Sequence, residues 1–240
     1  MKKPLLVTLL VASFLSSKAL TDKIRLGFVA SPGITWFQPS GNNVKQGAIR
    51  YGMNYGVVLD YYFKDQNYGI QTGLYGGMDN GELKERDVFG GSLYSVRERY
   101  FNQYIALPFY LKLKTNQLAS SKFRVFGQVG FSLVGTVSSR ATYDKPLVDT
   151  SPMQLISVTK ENILTKNNVI SQNVVSNFRS NYFDFRLSVG AGFEYDVADN
   201  VAVTFGVFYH NGFINVLADQ DAKKNPILVR NLLFSCGVMF

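Results

Sequence analysis

The segment Asn181–Val197 (NYFDFRLSVGAGFEYDV) restricts the possible folds of this chain more than any other. Successive side chains of a strand point to opposite faces, and here one face is entirely apolar or aromatic: Phe183, Phe185, Leu187, Val189, Ala191, Phe193, Tyr195 and Val197. The other face carries charges and glycines: Asp184, Arg186, Gly190, Gly192, Glu194 and Asp196. So many charges do not fit a packed apolar core, and so long an apolar face is not left in water. The segment is predicted to be a strand whose apolar face lies against a partner or against lipid.

The first residues are typical of an exported protein. Lys2 and Lys3 precede the apolar run Pro4–Leu15, and the small residues Ser17 and Ala19 follow it. This arrangement matches a secretory signal peptide, which we predict to span residues 1–19, followed by a single domain over residues 20–240. The apolar run is shorter than the roughly 20 residues that a membrane-spanning helix needs.

Charge and cysteine content exclude several classes of site. The formal net charge of +8 falls to +5 when Lys2, Lys3 and Lys18 leave with the signal peptide, and no run or stripe of basic residues is present. Nucleic acid is therefore not an expected partner. The lone Cys236 excludes an internal disulfide and a zinc site built on cysteines. We predict no metal and no cofactor.

The same alternation recurs along the chain and predicts eight strands: Lys23–Phe37, Arg50–Phe63, Tyr68–Met78, Tyr100–Leu113, Phe123–Arg140, Asn181–Val197, Val201–Asn211 and Ile227–Phe240. Each is long enough for a tilted membrane strand of about 9–11 residues. After the signal peptide no apolar run is long enough for a spanning helix. A closed barrel is the other structure that satisfies every backbone group within lipid.

The predicted connections alternate between long and short. Four long ones are expected to be loops: Gln38–Ile49, Asp79–Arg99, Ala141–Ser180 and Gly212–Pro226. Long extracellular loops and short periplasmic turns are typical of outer-membrane barrels. We predict an all-β fold, an eight-stranded antiparallel up-and-down transmembrane β-barrel in the outer membrane of a Gram-negative cell envelope. A soluble barrel of lipocalin type is less consistent, because its apolar side chains should point inward.

If the apolar faces lie against lipid, charged side chains point into the barrel. Six of them are expected near the periplasmic end: Arg25, Asp60, Lys112, Arg124, Glu194 and Asp196. Buried charges are costly unless they are paired, so we predict that these six form a paired plug, with Gln71 and Gln128 nearby. The inward glycines are expected to make room for Tyr62, Tyr75, Tyr104 and Phe126. The alternative is a proton or ion path through the interior.

One histidine is the only candidate for a catalytic base. His210 lies on the inward parity near the outer rim, and no serine stands two places after it, as it does in lipid A deacylases of this shape. We expect only Asp184 to be placed to orient it, with Ser188 deeper in the barrel. A solvated or tyrosine-bonded histidine is the simpler interpretation. We therefore predict that the protein is not an enzyme and has no catalytic residues, and the sequence defines no binding residues. The alternative function is an outer-membrane lipid A-modifying hydrolase.

Three segments resemble the PorT-like outer-membrane β-barrel family. Tyr104–Lys112 (YIALPFYLK) is similar to its Tyr-Leu-Glu-Ile-Pro-type strand, Val189–Tyr195 (VGAGFEY) to its late Gly-x-Gly strand, and Phe240 to its C-terminal signal for barrel-assembly machinery. Ala106 stands where members often carry a glutamate. The resemblance implies an eight-stranded outer-membrane barrel, and the namesake of the family assists protein export through the type IX secretion system.

These observations lead to an expected function. The protein is predicted to be a non-enzymatic integral outer-membrane barrel with a filled interior, acting in envelope integrity or in interactions through its surface loops. Assistance to protein secretion is the variant that the resemblance implies. The expected partners are outer-membrane lipids and lipopolysaccharide, the barrel-assembly machinery through Phe240, and a protein bound by the loop Ala141–Ser180.

Overall fold

The computed structural model describes residues 23–240 apart from 41–43, 64–66, 90–91, 119–121, 147–154, 161–179, 199 and 218–225. The proposed signal peptide lies outside the described residues. Nine strands are present in that part of the chain: β1 Ile24–Pro39, β2 Val44–Tyr62, β3 Tyr68–Phe89, β4 Ser92–Lys114, β5 Phe123–Pro146, β6 Leu155–Lys160, β7 Phe183–Ala198, β8 Val201–Gly212 and β9 Ile227–Met239. No helix among the described residues has the length and apolar character needed to cross a membrane.

Eight of these strands form a closed antiparallel barrel. Chain neighbours pair throughout, except that β5 pairs with β7 across the short β6, and β1 pairs with β9 to close the ring. Closure leaves no sheet edge open within the barrel wall. The predicted eight-stranded antiparallel barrel is confirmed. The remaining strand, β6, is not part of the ring. Among the described strands it pairs only with β5, along the last residues of that strand.

Side chains alternate between the outside and the inside of the wall, as the period-two pattern predicts. In β7, Leu187 and Val189 are 45% and 50% exposed, whereas Arg186 and Ser188 are 5% and 2% exposed. The same holds in β4, where Leu111 is exposed and Lys112 is buried. The outer surface therefore carries a belt of exposed apolar side chains, and the charged residues fill the interior.

The two ends of the barrel differ. The connections β2–β3, β4–β5 and β7–β8 lie at one end, called here the short-turn end, and the remaining connections lie at the opposite, long-loop end. Strands β3, β4 and β5 have 22, 23 and 24 residues, well beyond the roughly 9–11 that a tilted strand needs to cross lipid. These strands therefore extend past the apolar belt at the long-loop end.

This extension corrects three of the predicted loops. Strand β2 already begins at Val44, β3 and β4 continue as a hairpin to Phe89 and Ser92, and the predicted loop Ala141–Ser180 contains the end of β5 and all of β6. The sequence pattern missed these segments for a physical reason. Beyond the lipid the outer face of a strand meets water and need not be apolar, so the alternation that marks a lipid-facing strand is lost even though the inner face stays buried.

The interior is tightly packed because glycines lie opposite the large rings. Gly69 faces Tyr62, Gly56 faces Tyr75, Gly77 faces Tyr104 and Gly192 faces Phe126, each so closely that an added Cβ would lie within about 3.0 Å of the ring. The expected role of the inward glycines as space for these four side chains is confirmed. Phe208 was not foreseen, and it takes up the space left by Gly190 and Gly206.

This packing gives a direct test. A Cβ built on Gly190 would overlap the ring of Phe208, which itself stacks on Phe126 with 6.4 Å between ring centroids. G190A is therefore expected to lower the free energy of unfolding by about 1–3 kcal/mol, the usual cost of overpacking. The measurement is urea unfolding of the refolded barrel. The matched control is G127A, because the nearest atom to a Cβ there is 4.0 Å away; equal losses in both variants would contradict the packing argument.

Candidate functional site

A network of ion pairs fills the short-turn end of the barrel. Glu194 is its centre: the carboxylate lies 2.5 Å from Lys112 Nζ, 3.3 Å from Lys114 Nζ and 3.8 Å from an Arg25 guanidinium nitrogen. Lys112 also contacts Asp60, at 2.6 Å. These five residues, Arg25, Asp60, Lys112, Lys114 and Glu194, are called the basal network below. Glu194 has no exposed surface, and Lys112 and Asp60 are each 1% exposed.

Neutral side chains complete the basal network. Gln71 donates a hydrogen bond of 2.6 Å to Asp60, and the Tyr62 hydroxyl donates one of 3.0 Å to the same carboxylate. The ammonium group of Lys114 lies 4.2 Å from the centre of the Tyr62 ring. A separate pair, Arg124 with Asp196 at 2.8 Å, lies beside the network and is more exposed than Glu194, Lys112 and Asp60. Each carboxylate of the network therefore has several partners, as a buried charge requires.

The predicted plug is confirmed, with one addition. All six charged residues foreseen from the sequence are paired in the structure, and Gln71 is bound to one of them. Gln128 is buried nearby, and its side-chain oxygen has no hydrogen-bond partner among the described residues. Lys114 was missed because the sequence placed it in a turn. Its inward position was readable, since it lies two residues beyond Lys112 on the same strand.

A small cavity separates the basal network from the middle of the barrel. Its volume is about 40 Å³, and its lining includes Gln71, Tyr110, Lys112, Gln128 and His210. A buried water needs roughly 10–15 Å³ of such volume, so the cavity has room for about three water molecules. It is too small for a lipid chain or a sugar.

The structure places His210 differently from the sequence prediction. His210 is 6% exposed, and its Nδ1 lies 2.8 Å from Ser188 Oγ, the residue directly opposite it on β7. The expectation of a solvated or tyrosine-bonded histidine is therefore wrong. So is the expectation that Asp184 orients it, because Asp184 accepts a hydrogen bond of 2.7 Å from Arg186. Ser188 and His210 both point into the barrel and away from lipid.

A second buried cation holds the middle of the barrel together. Arg186 lies 2.6 Å from Asp79 on β3 and 2.7 Å from Asp184 on its own strand. Its guanidinium carbon lies 4.7 Å from the centre of the Tyr104 ring, and Asn231 donates a hydrogen bond of 2.8 Å to Asp79. We call Asp79, Asp184 and Arg186 the central triad. It connects β3 and β7, which lie on different parts of the barrel wall.

An apolar cluster fills the long-loop end. It consists of buried side chains from five strands and from the segment after β8: Phe37, Leu83, Tyr100, Ala141, Val216, Ile227 and Val229. Val216 is fixed there by backbone hydrogen bonds, its carbonyl to the Asn181 amide at 2.8 Å and its amide to the Ile227 carbonyl at 2.9 Å. The segment after β8 thus folds into the mouth of the barrel.

Just above the apolar belt, charges on the outer wall alternate in sign. Arg50 hydrogen-bonds Glu82, Arg99 lies 3.9 Å from Glu82, and Arg99 lies 3.8 Å from Asp144. Burial alone would raise the pKa of Glu82, but the hydrogen bond from Arg50 and the nearby charge of Arg99 hold it below its ordinary value. These four residues are called the paired row.

Comparison with known proteins gives the class of this barrel. The family model described as outer membrane protein beta-barrel domain matches residues 13–220. The chain belongs to that family. Because outer-membrane barrels have short periplasmic turns and long extracellular loops, the short-turn end is periplasmic and the long-loop end is extracellular.

Several solved structures are similar to this outer-membrane barrel. Neisserial surface protein A is 12% identical, with 90% of this chain and 94% of that chain covered and a TM-score of 0.43. OprG from Pseudomonas aeruginosa is 16% identical, with 90% and 94% covered and a TM-score of 0.42. Ail of Yersinia pestis, in complex with the heparin analogue sucrose octasulfate, is 13% identical, with 91% and 99% covered and a TM-score of 0.36. A comparison with curated proteins gave no significant match.

The residues of this outer-membrane barrel form layers with different chemistry. No group of three or more His, Cys, Asp or Glu side chains among the described residues is arranged to hold a metal ion. Cys236 is exposed on the outer wall, as its parity predicts. From the periplasmic end upward, the interior consists of the basal network, the small cavity beneath His210, the central triad and the apolar cluster. Side chains thus occupy the interior at three heights, and the small cavity lies between the lower two.

Proposed function

We propose that the protein is a non-enzymatic outer-membrane barrel with a closed interior, which supports envelope integrity or acts through its extracellular surface. The observation that carries this proposal is the filling of the interior at successive heights by the basal network, the central triad and the apolar cluster. Eight-stranded barrels have an interior just wide enough for side chains to fill. A closed barrel presents its surface, and not a channel, to other molecules.

Conductance measurements test the closed interior. In a planar lipid bilayer, the refolded wild-type barrel is expected to give no large, stable conductance steps, because several buried layers block the passage. A porin inserted under the same conditions is the positive control for the recording. The barrel is delivered to the bilayer in lipid vesicles, and its heat-dependent gel mobility in those vesicles shows that it is folded. Regular, long-lived steps from the wild-type protein would contradict the proposal and would favour an ion path.

The arrangement of His210 supports the non-enzymatic proposal over lipid A hydrolysis. A hydrolase needs a nucleophile and a base that reach the substrate. Ser188 and His210 are hydrogen-bonded, but both are buried within the barrel, and the carboxylate of Asp184 is occupied by Arg186. A lipid outside the wall has no contact with either residue.

The resemblance to PorT-like barrels supports a more specific proposal, assistance to protein secretion. The partner would bind at the extracellular surface, through the segment 141–180, most of which lies outside the described residues. A second contact is proposed between Phe240 and the barrel-assembly machinery; the Phe240 amide donates a backbone hydrogen bond of 2.7 Å to Leu26. Crosslinking in intact cells should recover a secretion component with the full-length protein and not with a variant lacking Thr150–Asn177. Equal recovery from both would contradict the role of this segment.

A further inference from the structure

Three cations lie side by side on the extracellular part of the outer wall. Lys45 on β2 is directly opposite Lys84 on β3, and Lys84 is directly opposite Arg97 on β4. All three side chains are exposed. They point away from the barrel axis, because their neighbours Leu83 and Glu98 are buried on the other face. We call these three residues the basic row.

The basic row differs from the paired row beneath it. Glu82 and Arg99 face each other two residues closer to the apolar belt, with opposite signs. Asp144, which lies 3.8 Å from Arg99, is one residue beyond the Glu98–Tyr143 pair and stands at the level of Arg97, at the β5 end of the basic row. In the basic row no ion pair joins Lys45, Lys84 or Arg97 to an acidic residue of the described part of the chain. Side chains directly opposite each other on neighbouring strands have Cβ atoms about 4.5–5.5 Å apart, and like charges at that distance destabilise the sheet. An anion bound along the row would remove this repulsion.

The height of the basic row identifies the source of that anion. The outermost exposed large apolar side chain of β2 below the row is Ile49, which pairs with Gly81 on β3. Lys84 lies three residues beyond Gly81. At roughly 3.3 Å per residue and a tilt of about 40°, the row lies about 8 Å outside the belt. Lipid phosphates lie at the belt edge, whereas a glycolipid with phosphorylated sugars carries anionic groups farther out.

We propose that the basic row binds the phosphate groups of lipopolysaccharide molecules that surround the barrel in the outer leaflet. The row faces sideways, towards neighbouring lipid, and not into the mouth of the barrel where a soluble ligand would enter. This inference rests on the extracellular position of the long-loop end and extends the proposed role in envelope integrity. Each lysine or arginine near an anionic membrane surface contributes a gain in binding of about fivefold.

Binding of purified rough-type lipopolysaccharide to the refolded barrel in a zwitterionic detergent tests the proposal. The variant K45Q/K84Q is expected to bind roughly 25-fold more weakly than the wild type, from about fivefold for each lysine. The matched control is K23Q/K122Q, which removes two exposed lysines at the short-turn end and should bind as the wild type does. The wild type should also lose most of its affinity when the lipopolysaccharide is dephosphorylated with hydrofluoric acid.

Three outcomes would overturn the inference. They are equal weakening in the two double variants, undiminished binding of dephosphorylated lipopolysaccharide, and stronger binding of heparin, a soluble sulfated glycan, than of lipopolysaccharide. Heat-dependent gel mobility shows whether K45Q/K84Q is folded. The comparison of native with dephosphorylated lipopolysaccharide uses only the wild type, so it tests whether phosphate groups are bound even if the variant does not fold. None of these outcomes depends on conductance. The binding experiment and the conductance measurement therefore test the basic row and the closed interior independently.

Discussion

Replacing Glu194 by glutamine is expected to lower the free energy of unfolding of the barrel by about 3–5 kcal/mol. Glu194 is fully buried and neutralises cations from three directions, Lys112 at 2.5 Å, Lys114 at 3.3 Å and Arg25 at 3.8 Å. Lys112 keeps Asp60 as a partner in the variant, but Lys114 loses its only acidic contact within the basal network. An uncompensated charge inside the wall is more costly than the loss of the pair itself.

Urea unfolding of the refolded protein in lipid vesicles measures the effect of E194Q. The control is D196N, because Asp196 and its partner Arg124 are 15% and 16% exposed, whereas Glu194 has no exposed surface; partial contact with water should keep the loss clearly smaller than that of E194Q. The double variant K114M/E194Q removes a surplus cation together with the anion and should recover part of the stability. If E194Q and D196N lose the same stability, the basal network is not what holds the periplasmic end closed.

Removing the charge of Arg186 is expected to have an effect of similar size in the middle of the barrel. In R186M, Asp184 loses its cation, and Asp79 keeps only the hydrogen bond from Asn231. Both carboxylates are buried, so we expect a loss of about 3–5 kcal/mol. Because the central triad connects β3 with β7, amide hydrogen exchange should increase most in the upper parts of these two strands.

Two control variants separate charge from shape. R186K keeps the positive charge but loses the planar, two-sided geometry of the guanidinium group, so its loss should be intermediate. In D79N/D184N/R186M no uncompensated charge remains, and part of the lost stability should return. Full stability of R186M, or a triple variant that is no better than R186M, would show that the triad does not hold the middle of the barrel.

The fold was largely predictable from the sequence because lipid enforces a simple rule. In Asn181–Val197 the apolar residues predicted to face lipid are the exposed ones, and Asp184, Arg186 and Glu194 are buried. The barrel was predictable because no other arrangement of strands satisfies the backbone within lipid. The prediction failed where lipid no longer imposes this rule, because the strand extensions Glu82–Phe89 and Ser92–Arg99 lie beyond the apolar belt.

The partners of individual side chains were harder to predict than their faces. The sequence placed six charges at one depth but missed Lys114, and it assigned Asp184 to His210 instead of Ser188. In a closed barrel the strands are staggered relative to one another, so a count from the end of each strand does not give the level of its residues. The register that sets Ser188 opposite His210 depends on the whole ring of pairings.

The sequence by itself determined that the chain forms a barrel in a membrane, which side chains face lipid, and that charges inside must be paired. These follow from the period-two alternation and from the high cost of unpaired charges in an apolar medium. Only the tertiary structure decided that Glu194 pairs with three cations and that the segment after β8 fills the mouth of the barrel. It also decided that Lys45, Lys84 and Arg97 form one row. Those arrangements depend on the stagger between strands, and the alternation within one strand carries no information about its neighbours.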